Sequence, residues 1–244
     1  MMLQVCLNGA RRISEHPRLT IDPAHLAQDA AVAVAAGAGA IHVHPKNPRG
    51  EDSLEAHHVA SWLATLRATC PGTPLGVTTG AWSAPDAATR LEMIESWVEV
   101  PDFASVNWHE DGAGDVAQAL HERGIGIEAG IWHSDAAHRW AASPLHNKCL
   151  RVLVEIQDIP AGDVTATAES LVSFARDRAN GTPILLHGEE RSTWPALGLA
   201  ARWGLDSRIG LEDTLVLPDG TMAQGNAQLV AAAAKFIVAG QAAP

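Results

Sequence analysis

Two histidines separated by one residue are the part of the sequence best suited to chemistry. His42 and His44 lie in the segment Ala-Ile-His-Val-His at 40–44, whose apolar residues predict a β-strand. Side chains two positions apart on a strand point to the same face, so both imidazoles should project together. Neutral imidazole is a common ligand of Zn²⁺, and two on one strand provide half of a site. The alternative is a pair of histidines that only form hydrogen bonds inside the protein.

A carboxylate near the end of the chain could complete such a site. In the segment Arg-Ile-Gly-Leu-Glu-Asp at 208–213, Arg208 and Glu212 share one face of a predicted strand. Glu212 at the strand tip can supply an oxygen ligand, and carboxylates at strand ends favour the metal interpretation of the two histidines. Three ligands leave the fourth position of a tetrahedral zinc ion open, which is typical of catalytic sites. On spacing alone, an Arg–Glu pair inside the protein and a capping role for Asp213 remain open.

The elements that must position these residues alternate regularly along the chain. Predicted strands cover residues 3–7, 40–44, 74–79, 103–107, 126–131, 150–156, 183–187 and 207–212. Predicted helices cover residues 23–37, 53–70, 85–98, 115–123, 134–142, 165–178, 194–203 and 226–238. Apolar strands separated by amphipathic helices indicate parallel β/α units of about 30 residues each.

Eight such units predict an α/β fold of the (β/α)8 TIM-barrel type. An open doubly wound sheet is the alternative, but the segment after the first strand contains one glycine and lacks the Gly-rich phosphate loop of that fold. No linker or low-complexity tract divides the sequence. We therefore expect a single catalytic domain over residues 1–244.

Two further polar residues, Thr78 and Glu128, lie within predicted strands. Thr78 could cap the next helix or bind an oxyanion. Glu128 is a carboxylate within an apolar strand, and such burial is costly unless the charge is paired, so we expect it to contact an arginine or a ligand. None of the three lysines ends a strand, which disfavours a Schiff-base aldolase.

Taken together, the motifs resemble those of the beta-keto acid cleavage enzymes over nearly the full chain. They are NGA at 8–10, HP at 16–17, IHVH at 41–44, TTG at 78–80, PDFASVN at 101–107, RIGLED at 208–213 and GNAQLV at 225–230. Each motif is short, but the set in this order is specific.

The resemblance implies a zinc-dependent barrel in which His42, His44 and Glu212 bind the metal. It also implies that Asp213 is the general base and that Arg208 orients it. The substrate-pocket positions that it implies are Thr78, Ser105, Asn107 and Glu128. The implied reaction combines a β-keto acid with acetyl-CoA and gives acetoacetate and a new acyl-CoA.

The sequence departs from the family pattern at Arg11, where aminohexanoate cleavers carry a carboxylate. Because an arginine replaces an acid, we expect Arg11 to bind substrate and to favour a neutral or dianionic β-keto acid. The alternative is that Arg11 points to solvent or contacts a CoA phosphate. The loop after the sixth strand also lacks the expected pair of glycines, so the mode of CoA binding is left open.

Composition restricts the other partners. The 28 acidic and 17 basic residues give a net charge of −11, which repels nucleic acid. Three cysteines without a disulfide framework indicate a cytoplasmic protein. No uncharged apolar run reaches the roughly 20 residues needed to span a bilayer, so we expect no membrane partner. A homo-oligomer is expected.

Three other functions remain open. A metal-dependent barrel hydrolase also carries two histidines at a strand end, although usually on the first strand. A metal-dependent aldolase or lyase would use a similar ligand set. A catalytically inactive barrel that binds a small acid is the third alternative, and the metal content of the purified protein would separate it from the enzymes.

Overall fold

The computed structural model describes residues 1–241 and contains eight strands and eight helices in strict alternation over that range. The strands are β1 (Leu3–Cys6), β2 (Ala40–Val43), β3 (Leu75–Thr78), β4 (Phe103–Asn107), β5 (Gly126–Ile131), β6 (Arg151–Ile156), β7 (Ile184–Gly188) and β8 (Ser207–Ile209). The helices are α1 (Pro23–Ala35), α2 (Ala56–Thr69), α3 (Ala87–Glu95), α4 (Ala113–Glu122), α5 (Ser134–Ala142), α6 (Ala161–Arg178), α7 (Thr193–Trp203) and α8 (Asn226–Gln241).

All eight strands run parallel and pair in chain order, with β8 returning to β1. Gln4 of β1 aligns with Ala40 of β2 on one side and with Arg208 of β8 on the other. The remaining gap, between β7 and β8, is closed by a parallel bridge between Leu185 and Asp206. The sheet is therefore a closed barrel, which confirms the predicted (β/α)8 fold.

The alternation of side chains along each strand separates an apolar layer from a polar one. Outward positions such as Val5, Ile41 and Val77 are buried against the surrounding helices and form the hydrophobic core. The intervening positions, such as His42 and Arg208, face the barrel interior and are polar but equally buried. The barrel axis is therefore lined by groups that need hydrogen-bond or ionic partners.

The helices follow from local sequence signals. Proline at the first position of α1 costs no hydrogen bond, and Asp22 caps that helix by accepting from the backbone NH of Ala24 at 2.8 Å. Most helix ends lie within a few residues of their predicted positions, as frayed ends allow. Among residues 1–241, no helix has both the length and the apolar character that crossing a lipid bilayer requires.

The last strand differs from its prediction. A strand over 207–212 was expected, but β8 ends at Ile209 and the chain turns at Gly210. The backbone NH groups of Asp213 and Thr214 both donate to the carbonyl of Gly210 at 3.0 Å. Glu212 therefore lies on a turn beyond the strand, where its side chain bends back over the barrel mouth.

This turn gives the first testable prediction. A Cβ atom at Gly210 would lie 1.8 Å from the carbonyl oxygen of Cys6, and backbone cannot move aside. Gly210→Ala should lower the free energy of unfolding by about 1–3 kcal/mol, or roughly 2–10 °C in Tm. Gly114→Ala is the control, because its Cβ meets open space in α4 and should raise stability slightly. Equal melting temperatures for the two variants would contradict this packing.

Candidate active site

Three predicted metal ligands converge at the carboxyl end of the barrel. His42 lies on β2, His44 directly follows it, and Glu212 reaches them from the turn after β8. The ligand atoms of the three side chains lie within 4.8 Å of one another. His42 Nε2 is 3.8 Å from Glu212 Oε2, and His44 Nε2 is 3.5 Å from Glu212 Oε1. The convergence depends on the barrel, because β1 separates β2 from β8 in the sheet.

The donor set fits a divalent metal ion. Within residues 1–241, the buried Oε2 atom of Glu212 has no hydrogen-bond partner, which is a costly state for a carboxylate oxygen. Burial lowers the pKa of His42 to about 3, so this imidazole is neutral and able to bind a metal. Two imidazoles and one carboxylate suit zinc and other first-row divalent ions.

Asp52 holds His44 in the orientation that a ligand needs. Asp52 Oδ2 lies 2.8 Å from His44 Nδ1 and accepts a hydrogen bond of 2.7 Å from Trp82 Nε1. The other Asp52 oxygen pairs with Lys46 Nζ. Burial would raise the pKa of Asp52, but His44 and Lys46 outweigh it and lower that pKa to about 2. Burial would lower the pKa of His44, but Asp52 and Glu212 outweigh it and raise that pKa to about 9, so a metal ion would have to displace a proton from Nε2. The carboxylate on Nδ1 fixes the ring with Nε2 toward the metal position.

A second ionic cluster lies directly behind Glu212. Arg208 Nη2 donates to Glu212 Oε1 and to Asp213 Oδ1, both at 2.9 Å. The thiol of Cys6 donates to Asp213 Oδ2 at 2.7 Å, and His187 Nδ1 lies 3.4 Å from Asp213 Oδ1. Burial tends to raise the pKa of Asp213, but Arg208 and His187 lower it overall, so the carboxylate is ionised. Asp213 is fully buried and does not line the cavity.

A cavity of about 310 Å³ opens beside the three ligands. Thr78, the last residue of β3, lies on its wall together with Ser105 and Asn107 of the neighbouring strand β4. Asn107 Nδ2 donates to Glu110 Oε1 at 3.0 Å, which fixes the orientation of the amide. These three neutral side chains offer hydrogen bonds to a ligand without adding charge.

Glu128 does not reach this cavity. It is fully buried in the barrel, where Gln4 Nε2 donates to Glu128 Oε1 at 2.8 Å and Arg151 Nε lies 3.3 Å from the same oxygen. The arginine partner expected from its burial is present, whereas the pocket position implied by the family pattern is not. Trp132, just beyond the end of β5, lines the cavity instead.

Arg11 lines the cavity but is already paired. Its guanidinium contacts Glu15 at 3.1 Å and Glu190 on the opposite loop. Its Nε donates to the carbonyl of Glu212 at 3.2 Å. Arg11 is therefore paired with two carboxylates in the free protein, and its preference for a neutral or dianionic substrate stays a prediction.

Known proteins resemble this chain over nearly its whole length. A model of the family described as beta-keto acid cleavage enzyme matches residues 1–244. The chain belongs to the beta-keto acid cleavage enzyme family. It is 23% identical to the 3-keto-5-aminohexanoate cleavage enzyme of Fusobacterium nucleatum subsp. nucleatum, over 94% of this chain and 88% of that protein.

Solved structures share the fold of this family member at low identity. The apo structure of ObcA matches 91% of the chain with a TM-score of 0.71 and 14% identity. A ternary complex of ObcA with a C4-CoA adduct and oxalate matches with a TM-score of 0.64 and 14% identity. The chain spans 62% and 64% of the lengths of these two proteins, so the likeness concerns the barrel.

Sequence reasoning missed several residues of this beta-keto acid cleavage enzyme's site. They are Asp52, Trp82, Trp132, Glu155, Glu189 and Glu190. Glu155 and Glu189 lie near or just past the ends of strands. A charged residue at such a position was the signal in the sequence that could have identified them as site residues. Asp52 follows its histidine by eight residues in an irregular loop, so no strand periodicity places it near the metal ligands.

The metal-binding geometry gives the second prediction. Asp52→Asn should weaken zinc affinity about 10- to 100-fold, because His44 loses the carboxylate that fixes its tautomer. His42→Ala removes a ligand outright and should abolish stoichiometric zinc binding while the fold is retained. Competition with a chromogenic chelator measures affinity, and circular dichroism checks the fold.

Asp177→Asn on the exposed face of α6 makes the same chemical change away from the site and should bind zinc like the unaltered protein. Full metal occupancy in folded His42→Ala would show that the ligand assignment is wrong. An unchanged affinity in Asp52→Asn would remove the positioning role of Asp52.

Proposed function

We propose that this beta-keto acid cleavage enzyme is a zinc-dependent acyltransferase that converts a β-keto acid and acetyl-CoA into acetoacetate and a new acyl-CoA. The observation that carries the proposal is the convergence of His42, His44 and Glu212 at a cavity, with Arg208 and Asp213 directly behind them. Within residues 1–241 this is the metal-type cluster that lines the cavity at the barrel mouth.

The reaction balances without a covalent enzyme intermediate. A base removes the proton from the carbon between the keto and carboxylate groups, and the carbanion attacks the acetyl-CoA thioester. A carbon–carbon bond forms, the carbon–sulfur bond breaks and CoA thiolate leaves. The thiolate then attacks the original keto carbon, a carbon–carbon bond breaks, and the new acyl-CoA is released. The acetoacetate carbanion takes back the proton.

The residues of the cavity have distinct roles in this proposal. His42, His44 and Glu212 would hold the zinc ion, which when bound supplies Lewis-acid polarisation of the keto acid's oxygens. Neutral Thr78 and Ser105 orient the keto acid by hydrogen bonds. Preorganised donors of this kind stabilise charge that develops on oxygen during the reaction.

Asp213 is the proposed proton acceptor, and its buried position requires Arg208 to move when substrate binds. The guanidinium of Arg208 touches Asp213 and lines the cavity, so it stands between the carboxylate and a ligand. A substrate carboxylate that pairs with Arg208 would draw the guanidinium toward itself and expose Asp213. Substrate binding would in this way release the base that the free protein keeps buried.

The named activity and the bound compounds of similar proteins support the proposed type of reaction. The named activity of the Fusobacterium relative is cleavage of a β-keto acid, 3-keto-5-aminohexanoate. One ObcA structure contains a C4-CoA adduct. Both are consistent with a keto acid and a CoA thioester as the small-molecule partners of this chain.

Isotope labelling tests the proposed reaction. With acetyl-CoA carrying ¹³C in the acetyl group, the label should appear in acetoacetate and be absent from the new acyl-CoA, as detected by mass spectrometry. A hydrolase that acts on the keto acid would leave the label in acetyl-CoA, and one that acts on the thioester would release it as labelled acetate. An aldolase or lyase would cleave the keto acid without acetyl-CoA. A barrel that only binds acids would give no product, and each of these results would overturn the proposal.

The base is tested separately. Asp213→Asn keeps the shape of the side chain but cannot accept a proton, so turnover should fall about 10²- to 10⁴-fold while zinc stays bound. Deuterium exchange at the acidic carbon of the β-keto acid, followed by NMR without acetyl-CoA, should fall in parallel. Cys6→Ala is the control, because it removes one hydrogen bond to Asp213 and keeps the carboxylate. Undiminished exchange in Asp213→Asn would place the base elsewhere.

A further inference from the structure

Glu212 lies on a turn that continues beyond the sheet. β8 ends at Ile209, and the turn covers residues 210–213. The backbone NH of Glu212 donates to the carbonyl of Cys6 at 3.3 Å, which is slightly longer than a typical N–H···O hydrogen bond. The position of Glu212 therefore depends strongly on the groups that hold the carbonyls of the turn.

Arg11 holds two of these carbonyls from the loop after β1. Its Nε atom donates to the carbonyl of Leu211 and to the carbonyl of Glu212, the latter at 3.2 Å. Hydrogen bonds from a charged donor of this kind are stronger than those between neutral groups. The same loop packs on the side chain of Glu212, since a Cβ atom at Gly9 would lie 2.4 Å from Glu212 Cγ. The loop after β1 thus contacts both the backbone and the side chain of Glu212.

Glu190 holds the next carbonyl from the loop after β7. Its backbone NH donates to the carbonyl of Asp213 at 2.7 Å, and its carboxylate pairs with Nη2 of Arg11. Nη1 of Arg11 lies 3.1 Å from a carboxylate oxygen of Glu15, so both ends of the guanidinium are fixed. Arg11 and Glu190 are therefore joined to each other and together hold the carbonyls of residues 211–213. We call this pair the turn clamp.

The backbone of Glu190 is strained, and the turn clamp accounts for that strain. Its φ of 46° lies in the left-handed region, which favours glycine. In this conformation the NH group of Glu190 reaches the turn while its carboxylate reaches Arg11. Glycine would adopt the same φ without cost but would lack the carboxylate. Strain of this kind persists where the surroundings determine the conformation, and it often marks functional positions.

We propose that Arg11 and Glu190 are positioning residues that place Glu212 beside His42 and His44, so that metal affinity depends on two residues that are not themselves ligands. The inference rests on the ligand role that the proposed function gives to Glu212. It assigns Arg11 a task that is separate from any effect of its charge on the choice of substrate. That task requires the shape of the guanidinium, because one side chain donates to two carbonyls and pairs with two carboxylates.

Glu190→Gly separates positioning from stability. Glycine adopts a positive φ freely, which offsets the loss of a half-exposed ion pair, so Tm should not fall. Zinc affinity, measured by competition with a chromogenic chelator, should nevertheless fall about tenfold, because Arg11 loses the carboxylate that orients it. Asn180→Gly is the matched control. Asn180 also has a φ of 46°, but it lies between α6 and the start of β7, so the same change there should leave zinc affinity unaltered.

Arg11→Lys separates positioning from charge. Lysine keeps the positive charge at the cavity but cannot reproduce the contacts of the guanidinium with the two carbonyls and two carboxylates. Zinc affinity should therefore fall about 10- to 100-fold. With Co²⁺ in place of zinc, the visible absorption bands should also change, because they report the geometry of the ligands. Arg12→Lys makes the same substitution at the exposed neighbouring residue and should leave affinity and spectrum unaltered.

The outcomes distinguish this inference from the proposed function. Zinc affinity and cobalt spectra like those of the unaltered protein in both Glu190→Gly and Arg11→Lys would overturn the inference and leave the metal centre standing. A loss of affinity that occurs only together with a fall in Tm would indicate general loosening of the fold and would also overturn it. If the unaltered protein binds no divalent ion, the zinc-dependent function and the inference are both wrong.

Discussion

The guanidinium of Arg208 sits at the centre of the charges on which this site depends. It is 4% exposed and bridges Glu212, which faces the metal position, and Asp213, which lies behind it. Buried carboxylates are stable as ions only when paired, and removing one partner of such a pair leaves an uncompensated charge. Arg208 therefore keeps both carboxylates ionised, one as a proposed metal ligand and the other as a proposed base. The surrounding residues have to accommodate this triad.

The closed barrel accommodates these three charged side chains in two ways. Apolar and polar side chains alternate along its strands, and glycines allow a few close contacts. Apolar side chains point to the helices, so charged groups can occupy the interior without weakening the core. Gly210 lets β8 approach the backbone of Cys6, and Gly76 leaves room for the ring of Phe103 inside the barrel. Of the charged or titratable interior side chains, Arg208 and His42 line the cavity, whereas Glu128 does not.

Two networks extend from the metal ligands toward opposite sides of the mouth. On one side, Asp52 joins His44 to Trp82, so the orientation of a ligand and the position of an aromatic wall depend on one carboxylate. On the other side, Glu190 has a positive φ of 46° and pairs with Arg11, which ties the loop after β7 to the loop after β1. A non-glycine residue in that conformation costs energy, and such strain is often found at functional sites. Glu189, its neighbour, is thereby held at the cavity wall.

The sequence by itself determined the order of strands and helices and the barrel, because these follow from side-chain periodicity. On spacing alone the roles of His42, His44 and Glu212 stayed open, and the resemblance to the family predicted them as metal ligands. The sequence also indicated that Glu128 would need an arginine, since an isolated buried charge is unstable. Only the tertiary structure decided which polar residues line the cavity and which are paired behind it, because that depends on contacts between residues far apart in the chain. Glu128 does not line the cavity, Asp213 lies behind Arg208, and Arg11 pairs with two acidic residues from separate loops. Periodicity along one strand carries no information about those partners.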